Sequence, residues 1–128
     1  MTSMRSSLWR AENLLRDWRM ARQLVESYGG RFEAFLQPVS FFSRTPPVDP
    51  GGQAVLRREY VATYRVIERK IAESGLFHSL VTALDGDEPV YTDFCHVVPN
   101  GNRRIAERIA NIAGVERRRR GASASQSR

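Results

Sequence analysis

The sequence predicts an α/β domain with parallel strands joined by helical crossovers. Three observations lead there. Long amphipathic stretches alternate with short apolar runs, in the order helix, strand, loop, helix, strand, loop, helix. Breakers punctuate the joins, with Gly29-Gly30, Pro38, Gly75 and Gly114 at the ends of the regular stretches. The run Ala34-Phe35-Leu36 shows no polar alternation, as in a strand covered on both faces. Alternation of this kind joins parallel strands through a helix that returns the chain to the same end of the sheet.

The first helix is expected over residues 7–28. Ala11, Leu14, Leu15, Trp18, Ala21, Val25 and Tyr28 recur at steps of three and four and form one stripe. The strand that follows, residues 32–39, should end near Gln37, because Pro38 cannot donate to a ladder. Ser40 to Gly52 reads as a loop carrying three prolines and two glycines, together with Phe41 and Phe42. A second helix over 53–73 places Leu56, Tyr60, Tyr64, Ile67 and Ile71 on one side and arginines on the other. Residues 76–84 fit a strand followed by one helical turn, and Asp85-Gly86-Asp87 fits a turn. A third helix should run from Asn100 or Gly101 to Ala113, with Ile105, Ile109 and Ile112 as its apolar stripe. Asn100 would cap it, and Gly114 would stop it.

Composition narrows the class. The chain has 128 residues, of which 41% are hydrophobic and 27% charged, which suits one globular domain. That domain is expected over residues 1–115, followed by a basic disordered tail over 116–128. Five arginines and one glutamate in the tail carry +4 of the net +6, so the body is nearly neutral. The tail lacks the interleaved aromatics of a base-stacking surface, so nucleic acid is not the expected partner. No stretch is apolar enough to span a membrane, and Met1 to Arg10 has no secretory pattern. With a single cysteine, Cys95, the chain reads as cytoplasmic and free of any multi-cysteine metal site. His78 has no ligand-type neighbours in sequence. Neither a metal nor a cofactor is expected.

The chemistry gathers at Tyr91-Thr92-Asp93-Phe94-Cys95-His96 and the following Pro99-Asn100-Gly101-Asn102. A carboxylate and a histidine three residues apart, just before a helix, can be aimed at one point by a short loop. In a Ser-His-Asp hydrolase the histidine takes the serine proton and the carboxylate orients the ring. Asp93-x-x-His96, with its Gly-Asn and amphipathic helix, resembles the C-terminal end of the SGNH (GDSL-type) hydrolases. The order of elements over roughly residues 10–114 is similar as well. The resemblance implies that the chain is the C-terminal part of a three-layer α/β/α, flavodoxin-like domain. It makes His96 the general base and Asp93 its orienting carboxylate. Phe41 and Phe42, beyond the end of a strand, would line a substrate pocket. The substrate class would be an acyl ester or an O-acetyl carbohydrate.

Two parts of that pattern are missing. The only Gly-Asp, Gly86-Asp87, is followed by Glu88, so there is no Gly-Asp-Ser nucleophile. The Gly-x-Asn-Asp motif that supplies oxyanion donors is also absent. The expectation is a truncated or degenerate ester hydrolase, inactive alone, which takes a small ester only when a partner chain supplies the missing half. Cys95 is expected to be a small buried hydrophobe and not a substitute nucleophile, because neighbours in an extended segment point to opposite sides. The competing expectation is a small non-enzymatic α/β interaction domain whose basic tail binds an acidic partner or nucleic acid.

Overall fold

A computed structural model describes residues 4–44 and 53–125 of the chain. The elements run α1 (Met4–Ser27), β1 (Phe35–Leu36), α2 (Ala54–Ser74), β2 (His78–Ser79) and α3 (Pro99–Ser125). Helix α1 turns Ser7, Ala11 and Leu15 fully inward, with Leu14 and Trp18 half-buried beside them. Its stripe stops short of the expected end, and Tyr28 is 87% exposed. Helix α2 buries Tyr64, Ile67 and Ile71, again at steps of three and four. It ends at Gly75, whose φ of 64° lies in the left-handed region and whose N–H reaches the Ile71 carbonyl.

The two strands pair in parallel, Phe35 opposite His78 and Leu36 opposite Ser79, with α2 lying between them in sequence. The His78 N–H bonds the Ala34 carbonyl at 3.0 Å and the Leu80 N–H bonds the Leu36 carbonyl at 2.9 Å. Ala34 and Leu36 face the core made by α1 and α2, and Trp18 meets Phe77 edge to face at 5.2 Å. Val39 and Val81 close the core from the segments that follow the strands.

This architecture corrects the expected fold class. The chain does not form a three-layer α/β/α domain. Helices of 24, 21 and 27 residues dominate it, and each strand is only two residues long. The reason is local. Pro38 removes a donor just after Leu36, and Leu80 passes straight into a turn, so the ladder has nowhere to grow. A ladder this narrow cannot hold two helical layers apart, and α1 packs directly on α2.

Helix α3 is also longer than expected. Gly114 does not stop it, and the helix continues through the arginine run to Ser125. Gly114 does not take the left-handed conformation that Gly29 and Gly75 adopt. The alanines and arginines beyond it are good helix formers and outweigh Gly114 and Gly121. Residues 126–128 of the expected tail lie outside the described residues. Among the described residues, no helix is long and apolar enough to cross a membrane.

A second, smaller cluster forms where α3 meets the chain. Leu84, Val90 and Tyr91 are buried there, with Val97, Val98 and Ile105 packed on them. Gly101 is what lets α3 approach. A Cβ at that position would lie 3.0 Å from the Val97 Cβ and 3.5 Å from the Val90 Cβ. Arg104 reaches back to the carbonyls of Ala83 and Asp85.

Candidate active site

Residues 91–97 form a closed loop and not an extended strand. Tyr91 and Val97 make an antiparallel bridge, and the Val98 N–H bonds the Val90 carbonyl at 2.9 Å. Inside it, the Thr92 N–H and hydroxyl both donate to the His96 carbonyl. Asp93 sets the curvature. Its Oδ1 accepts the N–H groups of Cys95 at 2.8 Å and His96 at 2.7 Å, a side chain capping its own turn.

The other carboxylate oxygen is then left for the ring. Asp93 Oδ2 lies 2.6 Å from His96 Nδ1, a charge-assisted distance. With the proton on Nδ1 donated to Asp93, Nε2 is the nitrogen available to take one. The carboxyl of Asp93 is held well below the usual carboxylate range. The backbone N–H groups of Cys95 and His96 do most of this, and the ring adds to it. The spacing Asp93-x-x-His96 thus brings the two side chains into contact.

The segment after β1 grips the loop from outside. Gln37 Nε2 donates to the Cys95 carbonyl at 3.2 Å, and the Ser40 N–H donates to the Phe94 carbonyl at 2.8 Å. Phe41 stacks on Phe94 with ring centroids 5.3 Å apart and planes within 7°. Tyr60 of α2 meets both rings edge-on. The structure thus places Phe41 in an aromatic stack that holds the site loop. Phe42 packs against Tyr64 at 6.1 Å.

A cleft of about 530 Å³ opens beside His96, lined by Phe35, Leu80, Cys95, Asn102, Ile105 and Ile109 among others. Phe41 and Phe42 are not among its lining residues. The cleft lies between the face of β1 opposite the core and the apolar stripe of α3. It could hold an acyl chain or the face of a sugar ring. His96 stands at its rim with 75% of its side chain exposed.

Cys95 packs partly buried against the core, as a small hydrophobe, but it does not point away from His96. The bend that Asp93 imposes puts the Cys95 Sγ on the same side as the histidine, 3.6 Å from Nδ1. The expectation of opposite faces assumed an extended backbone, which this loop does not have. Partial burial pushes the Cys95 thiol up, and the neighbouring Asp93 charge adds to the effect. A thiol held protonated in this way is a poor nucleophile. His78 is engaged elsewhere. Its Nε2 lies 3.0 Å from Glu33 Oε2, and its ring stacks on Phe35. Partial burial raises Glu33, but His78 and Arg31 outweigh it and leave the carboxyl below its ordinary value. Ser43 hydrogen-bonds Asp85 at 3.0 Å.

No family model, curated protein or solved structure matches the chain.

Proposed function

We propose that this chain supplies the histidine–carboxylate half of an ester hydrolase of the GDSL type, and that a second polypeptide supplies the nucleophilic serine and the oxyanion donors. The observation that carries the reading is the 2.6 Å contact between Asp93 Oδ2 and His96 Nδ1, with Asp93 Oδ1 already clamped by two backbone donors. That arrangement fixes the ring tautomer and orientation, which is the carboxylate's task in a triad. His96 Nε2 then accepts the serine proton and later returns it to the leaving alcohol. The apolar cleft beside His96 takes the acyl or acetylated part of a small ester.

The second polypeptide has a place to join. Ala34 and Leu36 use their carbonyls toward β2, so by alternation Phe35 turns its N–H and carbonyl to the outer edge of β1. An added strand there would lie alongside the cleft. Without it there is no acyl-enzyme, and the chain alone turns over nothing.

The test has two arms. The chain alone should hydrolyse p-nitrophenyl acetate no faster than an equal concentration of free imidazole. Turnover far above that background that disappears with His96→Ala would show a nucleophile within the chain and overturn the division of labour. In the second arm, the chain is co-expressed with the polypeptide encoded immediately upstream of Met1, and the mixture is treated with a fluorophosphonate. A serine of the upstream polypeptide should be labelled, and His96→Ala should abolish the labelling. An upstream region encoding no Gly-Asp-Ser, in any frame, removes the reading.

A second reading is favoured by α3, which carries the exposed Arg118 and Arg119 onto a helix beyond the body. It is a non-enzymatic interaction module whose basic helix binds an acidic partner or nucleic acid. Binding of polyglutamate or duplex DNA that weakens steeply with salt and vanishes on deleting residues 116–128 would select it.

A further inference from the structure

Three donors of different chemistry converge in the 91–97 loop. A carboxylate oxygen of Asp93, the Cys95 Sγ and a ring nitrogen of His96 all lie within 4.8 Å of one another. A proton relay does not call for this. A triad histidine uses its two nitrogens on opposite sides, whereas here the carboxylate and the thiol both face the same nitrogen, at 2.6 Å and 3.6 Å. Three donors around one point are what a metal ion requires.

We propose that Asp93, Cys95 and His96 form a zinc site, with Oδ2, Sγ and Nδ1 as ligand atoms and water in the fourth position. Metal–sulfur and metal–nitrogen bonds of about 2.3 Å and 2.0 Å at a tetrahedral angle put sulfur and nitrogen roughly 3.5 Å apart. The Sγ···Nδ1 separation of 3.6 Å already has that value. The carboxylate must open from hydrogen-bond distance by roughly 0.7 Å once an ion replaces the shared proton. The exposed His96 ring can turn to allow it. The remainder of the site is rigid. Asp93 Oδ1 is held by two backbone donors, the Cys95 carbonyl by Gln37, and the loop ends by the Tyr91–Val97 bridge. One nitrogen, one sulfur and one oxygen make a borderline-soft set. This suits zinc and excludes magnesium or calcium, which favour oxygen alone.

The Cys95 thiol loses one proton to solvent as its sulfur binds. The ring proton moves from Nδ1 to Nε2, so the imidazole stays neutral. A protonated Nε2 cannot accept a serine proton, so zinc would switch off the base. This last consequence rests on the hydrolase reading, whereas the zinc site itself does not.

The experiment uses the full chain stripped with a chelator and titrated with cobalt(II) and zinc. One equivalent of cobalt should give a thiolate charge-transfer band and intense visible bands of tetrahedral type. One equivalent of zinc should bleach them, and zinc added instead to the stripped chain should release one proton in weak buffer. Cys95→Ser should abolish the charge-transfer band. Both Cys95→Ser and His96→Ala should weaken zinc binding by at least about tenfold, since loss of even an outer-shell partner costs that much. His78→Ala should change nothing. Cys95→Ser is nearly isosteric, and an unaltered far-ultraviolet circular dichroism spectrum separates loss of a ligand from loss of fold. Absence of a charge-transfer band with the native chain overturns the proposal. So does zinc affinity that survives Cys95→Ser, or affinity that falls with His78→Ala. Failure of the esterase experiments leaves these readouts unmoved, so the two proposals fail separately.

Discussion

The α1–α2 region and the α3 region are held together by different means. In the first, side chains from two helices, from β1 and from the segments flanking the strands interlock, and Leu15, Leu36, Val39 and Ile67 are almost completely buried. In the second, the buried hydrophobic cluster among the described residues is Leu84, Val90 and Tyr91, and α3 meets it where Gly101 has no side chain. The site loop lies between them. It takes its shape from its own hydrogen bonds and its position from Gln37, Ser40 and Phe41. Stability and site geometry are therefore separable here. The core can be weakened without distorting the loop, and the loop can be distorted without melting the core.

The contrast can be broken most forcefully at Leu15, which is 1% exposed. Leu15→Ala should cost about 2–5 kcal/mol, as large-to-small changes in packed cores do, and should lower the melting temperature of the whole chain. A loss below about 1 kcal/mol would mean that α1 is not part of the cooperative core. Gly101→Ala tests the other region. The added methyl meets Val97 and Val90, and overpacking of this kind costs about 1–3 kcal/mol. Its signature should be local, with faster amide exchange in residues 90–98 and unchanged exchange in α1 and α2. Equal changes in both regions would show one cooperative unit and remove the distinction.

A third test uses acid. The carboxyl of Asp93 is depressed in the folded chain, so its contribution to loop order is complete above the unfolded carboxylate value of about 3.9. That contribution is lost as pH falls through the lower native value. Protection of the Cys95 and His96 amides should therefore persist through pH 4 and disappear only in strong acid. Asp93→Asn should make it independent of pH. Loss of protection in the native chain near pH 4 would show that the two backbone donors do not hold the carboxylate in solution. The smallest effect is expected at Arg22–Glu26, an i,i+4 pair at 2.9 Å on the outer surface of α1. Its removal should cost only about 0.3–0.5 kcal/mol and leave the site loop unmoved.

What the sequence revealed follows the range over which each signal acts. Helical stripes are local, and residues such as Ala11 and Leu15 or Ile67 and Ile71 declared their faces through spacing alone. The Asp93–His96 pair was legible for the same reason, since both groups belong to one turn. The width of the sheet was not legible. Ala34-Phe35-Leu36 looks the same in a wide sheet as in a two-residue ladder, because the number of neighbouring strands is a property of the whole chain. Gly114 misled because glycine stops a helix only where the chain turns left-handed, and the residues beyond it favour continuing. Cys95 was misplaced because Asp93 Oδ1 bends the backbone, a detail that residue alternation does not encode. The grips from Gln37, Ser40 and Phe41 span more than fifty positions in sequence (58 for Gln37 to Cys95), and no local pattern announces them.

The order of these grips along the chain has a consequence for assembly. Gln37, Ser40, Phe41 and Tyr60, which seat the loop, all precede it in sequence, and the core they rest on is complete by Val81. A chain emerging from the ribosome can thus expose its platform before Asp93 or His96 emerges. The 91–97 turn is then laid onto a surface that already exists, and α3 follows it. Errors made late in synthesis would disturb the turn while leaving a well-packed platform behind.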